Sequence, residues 1–263
     1  MQNKKRLLII IISLVIICII ILAILLLFPK TSKNVSTEVK EIISKTEEDT
    51  TELENKFFRM FANINYPQEN EEIITDAYTY EGIEVDKYDV RAHIPKFTFE
   101  TCNNINTEIV KIFAQKLVNV VKYSNVNTKY IVDYKTYIND NIISLIIKCT
   151  LKEGNNPERS IIKTYNYDVN NEKILRLEDI IEDKDLNREE VQNKVNTKIK
   201  GIITNKQQVI DKGYNIYKRD LNSEEYLIEN IENFFLDEEK NLYIIFPYGN
   251  LNNTTETDVI VFK

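Results

Sequence analysis

The chain has 263 residues, with 41 acidic side chains against 34 basic ones and a formal charge of −7 at pH 7. That balance speaks against a nucleic-acid partner and against a polybasic lipid-binding surface. Only five glycines and five prolines, beside 15 tyrosines and 11 phenylalanines, exclude a disordered stalk and indicate a folded domain with a real core.

Residues 7–28 form an apolar run without charge, glycine or proline, in which Ser13 is the one clearly polar side chain. At about 1.5 Å per helical residue it reaches about 33 Å, enough for the hydrocarbon core of a bilayer. Lys4, Lys5 and Arg6 precede it, which by the positive-inside bias puts the N-terminus in the cytoplasm and the rest outside. A cleaved signal peptide is the competing reading, but the run exceeds a signal core and no small-residue cleavage pattern follows it. Cys18 is preceded by Val15, Ile16 and Ile17, a poor match to a lipidation site. The expected organisation is a cytoplasmic tail (1–6), one transmembrane helix (7–28), a helical or flexible spacer (29–69) and an extracytoplasmic domain (70–263). The part beyond the run then holds 41 acidic residues and all but three of the 34 basic ones, a formal charge of −10. That charge suits a cationic protein or peptide partner, and equally a domain kept soluble beside anionic wall polymers.

In the spacer, Val39, Ile42, Ile43, Leu53, Phe57, Phe58 and Phe61 partly fit one helical face, with Ser36 or Thr37 as a cap. Tyr66-Pro67 breaks that helix. From Ile73 the pattern turns to two strands rich in β-branched and aromatic residues, punctuated by Gly82. Asn103 or Asn104 is expected to cap a helix through Ile109, Val110, Phe113, Leu117 and Val121. Three strands follow, 128–138, 141–151 and 159–169, with a hairpin turn at Asn139-Asp140-Asn141 and a loop holding Gly154 and Pro157. Their short loops predict an antiparallel meander. Asp168 to Lys173 turns the chain back, Leu177 to Ile181 starts a short helix, and Arg188 to Thr204 reads as an amphipathic one. A helix start is expected near Ser223 to Glu225. The chain closes with a strand, a turn at Glu238 to Asn241, a strand, and a last strand over 258–262. The fold class expected is α+β, an antiparallel meander with packed helices behind one N-terminal transmembrane helix.

The order Ile94-Pro95-Lys96-Phe97, Asn103-Asn104-Ile105-Asn106 with a helix, Ile143 to Cys149, Lys163 to Ile181 and Asn233 to Asn250 resembles one family. It is similar to the RsiV-like extracytoplasmic domain, shared by the anti-sigma factor RsiV and the accessory region of the peptidoglycan deacetylase PdaC. The likeness covers roughly residues 70 to 262 and is most specific over Thr164 to Ile181, a strand, Asp, turn, strand, Leu-x-Asp-helix order. It implies a binding or sensing domain whose ligand is lysozyme, in the manner of RsiV, or a non-catalytic accessory module for peptidoglycan modification; an envelope scaffold is the structural alternative. Set against that family, Met1 to Arg6 is expected to be too short for a segment that grips a sigma factor, and no deacetylase module is expected after Lys263. The loop Gly154 to Glu158 lacks the histidine often found there in the family.

Direct chemistry is sparse. His93, the only histidine, adjoins Ile94-Pro95 at a strand end and reads as structural. Asp183, Asp185 and Asn187 start like a calcium loop, but Arg188 holds the place of the turn glycine and Lys194 that of the closing glutamate. Asp168 reads as a turn anchor. No nucleophile elbow or phosphate loop occurs. No catalytic residue, cofactor or metal is therefore expected, and the chain is not expected to be an enzyme. Cys102 and Cys149 both fall outside the membrane run, so a disulfide is open. The binding candidates are Pro247 and Tyr248, placed in a loop after the last long strand: the resemblance puts a Pro/Tyr loop on its recognition surface, and a tyrosine beside a proline is a rigid anchor. The alternative is that Tyr248 caps the core.

Overall fold

The computed structural model describes residues 51–60, 73–213, 216–250 and 253–263. The transmembrane run 7–28, the caps at Ser36 or Thr37 and the Tyr66-Pro67 break lie outside them. Among the described residues no helix is long and apolar enough to cross a membrane. One compact unit runs from Thr50 to Lys263. It therefore starts earlier than residue 70, for a physical reason given below.

The unit is α+β, with a six-stranded, mostly antiparallel sheet in the order β1 to β6 and a second sheet of three strands, β7 to β9. β1 (Ile74–Glu84) and β2 (Tyr88–Phe97) form a hairpin. Its turn is not at Gly82, which pairs with Val90 inside the ladder. The chain reverses at Asp86, which takes φ 66°, a left-handed conformation that aspartate tolerates better than most residues. Gly82 has a different use: a Cβ there would come within 2.8 Å of the Tyr80 hydroxyl, which lies along the strand toward Tyr88.

After β2 a 3-10 turn (Glu100–Cys102) leads into α2 (Asn103–Ile109), a single π-turn (Val110–Ala114) and α3 (Gln115–Tyr123). Neither Asn103 nor Asn104 caps this helix; the N-cap is Cys102 and contributes no side-chain bond. The 3-10 turn has already set the entrance, and Asn106 anchors it instead. Its carboxamide accepts from Phe97 N at 2.8 Å and donates to Phe97 O at 2.9 Å. The helical crossover makes β2 and β3 (Thr128–Asn139) parallel, as a connection of that length permits. β3, β4 (Ile142–Glu153) and β5 (Arg159–Asp168) are the antiparallel meander read from the sequence. Asp140, at φ 52°, makes the first of its turns.

β6 (Lys173–Ile174) closes on the end of β5 and runs into α4 (Leu177–Asp183). α5 (Arg188–Asp211) is capped by Asn187, whose side chain accepts from Glu189 N and Glu190 N, and it runs past Thr204. The helix expected near Ser223 is instead two 3-10 turns, Glu224–Tyr226 and Ile228–Asn230. Tyr226 and Ile228, two residues apart, are both buried, which a helix cannot do on one face; Leu227 between them is extended at ψ 135°. β7 (Phe234–Leu236), β8 (Leu242–Asn250) and β9 (Asn253–Phe262) complete the second sheet.

Period-two alternation divides the cores. Tyr130, Val132, Leu145 and Ile147 turn from the large sheet toward Ile109 and Phe113 of the helical crossover. Tyr137, Ile146 and Ile162, on the opposite face, meet Phe235, Tyr243, Ile245 and Val259 of the small sheet. The small sheet's other face, with Ile244, Phe246 and Ile260, packs on Ile180, Val195 and Ile199 of α4 and α5. The stack is thus helix, sheet, sheet, helix. Into the seam between the sheets goes α1 (residues 51–60), through Leu53 and Phe57. Phe57 is 2% exposed, with Phe235 and Tyr243 each 6.0 Å away between ring centres. Its Lys56 and Glu54 pair with Glu238 and with Lys198 of α5. That packing is why the folded unit includes part of the expected spacer.

Candidate functional site

Pro247 and Tyr248 lie within β8, not in a loop; Pro247 pairs with Thr257 and Tyr248 with Glu256. A proline is tolerated there because β7 stops short. Ile245 N–H reaches Asn233 O at 2.8 Å, and the next residue facing that side is Pro247, whose missing N–H leaves no ladder bond unmade.

Tyr248 is only 4% exposed, so its ring is a core element, as the capping alternative has it, and only Pro247 of the two is half open to solvent. The ring stacks on Tyr217 at 4.6 Å, and its hydroxyl shares a 2.9 Å bond with that of Tyr226. Burial, then the Tyr226 hydroxyl, holds the Tyr248 proton on far above the usual phenol range. The Arg219 guanidinium sits 4.5 Å from the centre of the same ring. Arg219 grips Asp258 with Nε at 2.7 Å and Nη2 at 2.8 Å, approaches Glu256 at 2.9 Å and donates to Tyr217 O at 2.9 Å. Burial alone would lower its pKa; the bonds to Asp258 and Glu256 more than reverse that. Burial would likewise raise the Glu256 carboxyl, but hydrogen bonds from Lys206, Tyr217 N and Arg219 hold it below its ordinary value.

Outside this cluster Pro247 and Tyr248 border a groove of about 240 Å³, shared with Glu225, Glu232 and Asn233. The Asn233 carboxamide oxygen is buried without a hydrogen-bond partner among the described residues. The groove thus offers the Glu225 carboxylate, a Glu232 carboxylate already paired with Lys163, an unused acceptor and an apolar wall, a set suited to holding a donor-bearing or cationic group. Sequence reading names Pro247 and Tyr248 as candidates and does not name Glu225, Asn233, Arg219 or Asp258, which the fold brings beside them. Arg219 and Asp258 are 39 residues apart, and nothing in either segment alone marks the pair.

The remaining candidates have structural settings. His93 Nδ1 lies 3.2 Å from Asp76 on the neighbouring strand. Asp168 accepts from Asn170 N, Asn171 N and Asn141 Nδ2 at 2.7–3.1 Å, so it anchors the turn after β5. Asp185 sits in the left-handed region at φ 52° in the tight link from α4 to α5. Cys102 and Cys149 are both buried free thiols, so no disulfide joins them; burial pushes Cys102 up to about 11 and Cys149 up to about 12. Among the described residues, no group of three or more His, Cys, Asp or Glu side chains could hold a metal ion.

No protein-family model and no curated protein matches the chain. It is similar to the solved structure of a DUF3298 family protein from Pseudomonas aeruginosa PAO1, with 13% identity over 74% of this chain and 91% of that one and a TM-score of 0.42. It is also similar to a DUF3298 family member from Bacteroides fragilis, with 15% identity over 60% of each chain and a TM-score of 0.32.

Proposed function

We propose that the chain is a membrane-anchored binding or sensing domain of RsiV-like type, displayed outside the cell and acting by recognition rather than catalysis. The observation that carries this reading is the partition of the sequence. A charge-free apolar run at 7–28, with Lys4, Lys5 and Arg6 before it, precedes a compact unit spanning Thr50 to Lys263. The order of motifs from Ile94 to Asn250 supports a ligand of the lysozyme kind, a compact cationic protein. The groove beside Pro247, with Glu225 and Glu232 at its rim, supports the same sign of partner.

Two measurements test it. A periplasm- or exterior-active reporter fused after Lys263 should be active, and one active only in the cytoplasm should be silent; the reverse pattern sinks the anchored topology. Immobilised chain should retain lysozyme at low salt and release more of it at high salt, since an electrostatically assisted interface is screened. Retention of purified peptidoglycan with no retention of lysozyme would turn the reading toward an accessory module for peptidoglycan modification. Retention of neither would leave only the scaffold.

A further inference from the structure

Strand β5 has one open side. Val169 N–H reaches Asn141 O at 2.8 Å, so Val169 turns its main chain toward the β4 side, and alternation carries that direction back through Tyr167, Tyr165 and Lys163. The even-numbered residues turn theirs outward. There β6 is two residues long, and Leu175 N–H meets Asn166 O at 2.8 Å. Past Asn166, no strand of the described residues lies beside Thr164 or Ile162. Lys163, the kind of residue that keeps foreign strands off an edge, is drawn aside to Glu232 at 2.8 Å.

A recess of about 480 Å³ opens along this edge, between the segment entering α4 and the Ile228–Glu232 turn. Tyr165 lines it. That side chain is 8% exposed, and its hydroxyl has no hydrogen-bond partner among the described residues. Burial, then the Glu108 carboxylate close by, keeps the phenol protonated, so it remains a hydrogen-bond donor. The rim carries Glu108, Glu178, Glu229 and Glu232 against Lys163 and Arg176. Both cations are engaged, Lys163 by Glu232 and Arg176 by Glu178 and Asp179, and Arg188 beside the rim takes Glu229 at 2.7 Å and Glu178 at 3.5 Å. Of the rim carboxylates only Glu108 has no ion pair among the described residues, so the surplus charge is negative and lies beside Tyr165.

We infer that this recess takes an extended polypeptide segment bearing basic side chains, added to the large sheet as a strand against Ile162 and Thr164. An unpaired strand edge presents donors and acceptors at the spacing of another strand's main chain, which a helix cannot meet. The surplus carboxylate of Glu108 selects for a cationic side chain on the added strand, and the Tyr165 hydroxyl can donate to one of its carbonyls. The site shares the Asn230–Glu232 turn with the Pro247 groove but opens on the large sheet's edge, and it does not depend on the chain being anchored.

The test uses the full chain in non-ionic detergent and a fluorescein-labelled peptide of alternating lysine and valine, read by anisotropy. Binding should saturate. N-methylation of alternate peptide amides, or glutamate in place of lysine, should each weaken it about tenfold or more. Glu108→Lys should weaken it to a similar degree while leaving the circular dichroism spectrum unchanged. Hydrogen exchange at Ile162 and Thr164 should slow when the peptide is bound. Equal binding of the N-methylated peptide would overturn the inference, as would protection appearing elsewhere or the absence of saturable binding. Slowed exchange at Thr164 on raising protein concentration without peptide would assign the edge to a second copy of the chain and overturn it too.

Discussion

Arg219→Ala should be among the most damaging single changes available in this fold. The arginine side chain is 1% exposed and that of Asp258 5%, so the substitution leaves a buried carboxylate without its two-pronged partner. Removing one member of a buried pair costs about 3–5 kcal/mol. Loss of the guanidinium above the Tyr248 ring adds about 0.5–2 kcal/mol. Glu256 offsets part of this, because Lys206 and Tyr217 N still serve it. The expected loss is therefore about 3–5 kcal/mol, against a total of about 5–15 kcal/mol for a typical domain. Equilibrium urea unfolding followed by circular dichroism measures it, with tyrosine emission as a second probe since the chain has no tryptophan. Arg219→Lys should lose an intermediate amount, keeping the charge without the fork. Combining Arg219→Ala with Asp258→Ala should cost less than the two singles added together, because the second change removes the charge that the first left stranded. A loss below about 1 kcal/mol, or strict additivity of the pair, would refute the reasoning.

Phe57→Ala should destabilise the unit by about 3–5 kcal/mol, since it empties a site between both sheets; an unchanged urea midpoint would return residues 51–60 to the spacer. Stability should fall as pH drops below about 5. Glu256, Asp168 and Asp179 all have depressed folded-state pKa values, so the unfolded chain binds protons first and the stabilisation present at neutral pH is lost toward the folded values. Glu256→Gln should flatten that decline, and a urea midpoint equal at pH 7 and pH 3 would contradict it. In a Cys18→Ser background, Cys102 and Cys149 should stay unreactive to an aryl disulfide at pH 8 and react fully in denaturant, because burial keeps both protonated; fast labelling of the native chain would show them accessible.

The strands of the meander were legible because their alternation, the turn at Asp140 and the carboxylate at Asp168 are local signals. The β1–β2 turn was not, since glycine marks conformational freedom without requiring a turn, and Gly82 is used for the passage of the Tyr80 ring. The segment around Tyr226 has helix-forming residues, yet burying Tyr226 and Ile228 together overrides that tendency. The same holds for Tyr248. Its place beside a proline marked a rigid residue, but whether such a residue faces a ligand or a core depends on Arg219, Tyr217 and Tyr226, which arrive from elsewhere in the chain.

The wedge formed by residues 51–60 has a mechanical meaning. It is joined to the second sheet through Lys56 and Phe57 and to α5 through Glu54, so tension applied to the chain ahead of it falls first on the joint between the two sheets. Drawing the wedge out would strip cover from Phe235 and Tyr243 and loosen the part of the small sheet that abuts the large one. A protease cut on the near side of residue 51 leaves that joint closed, and a cut beyond residue 60 frees the wedge to leave.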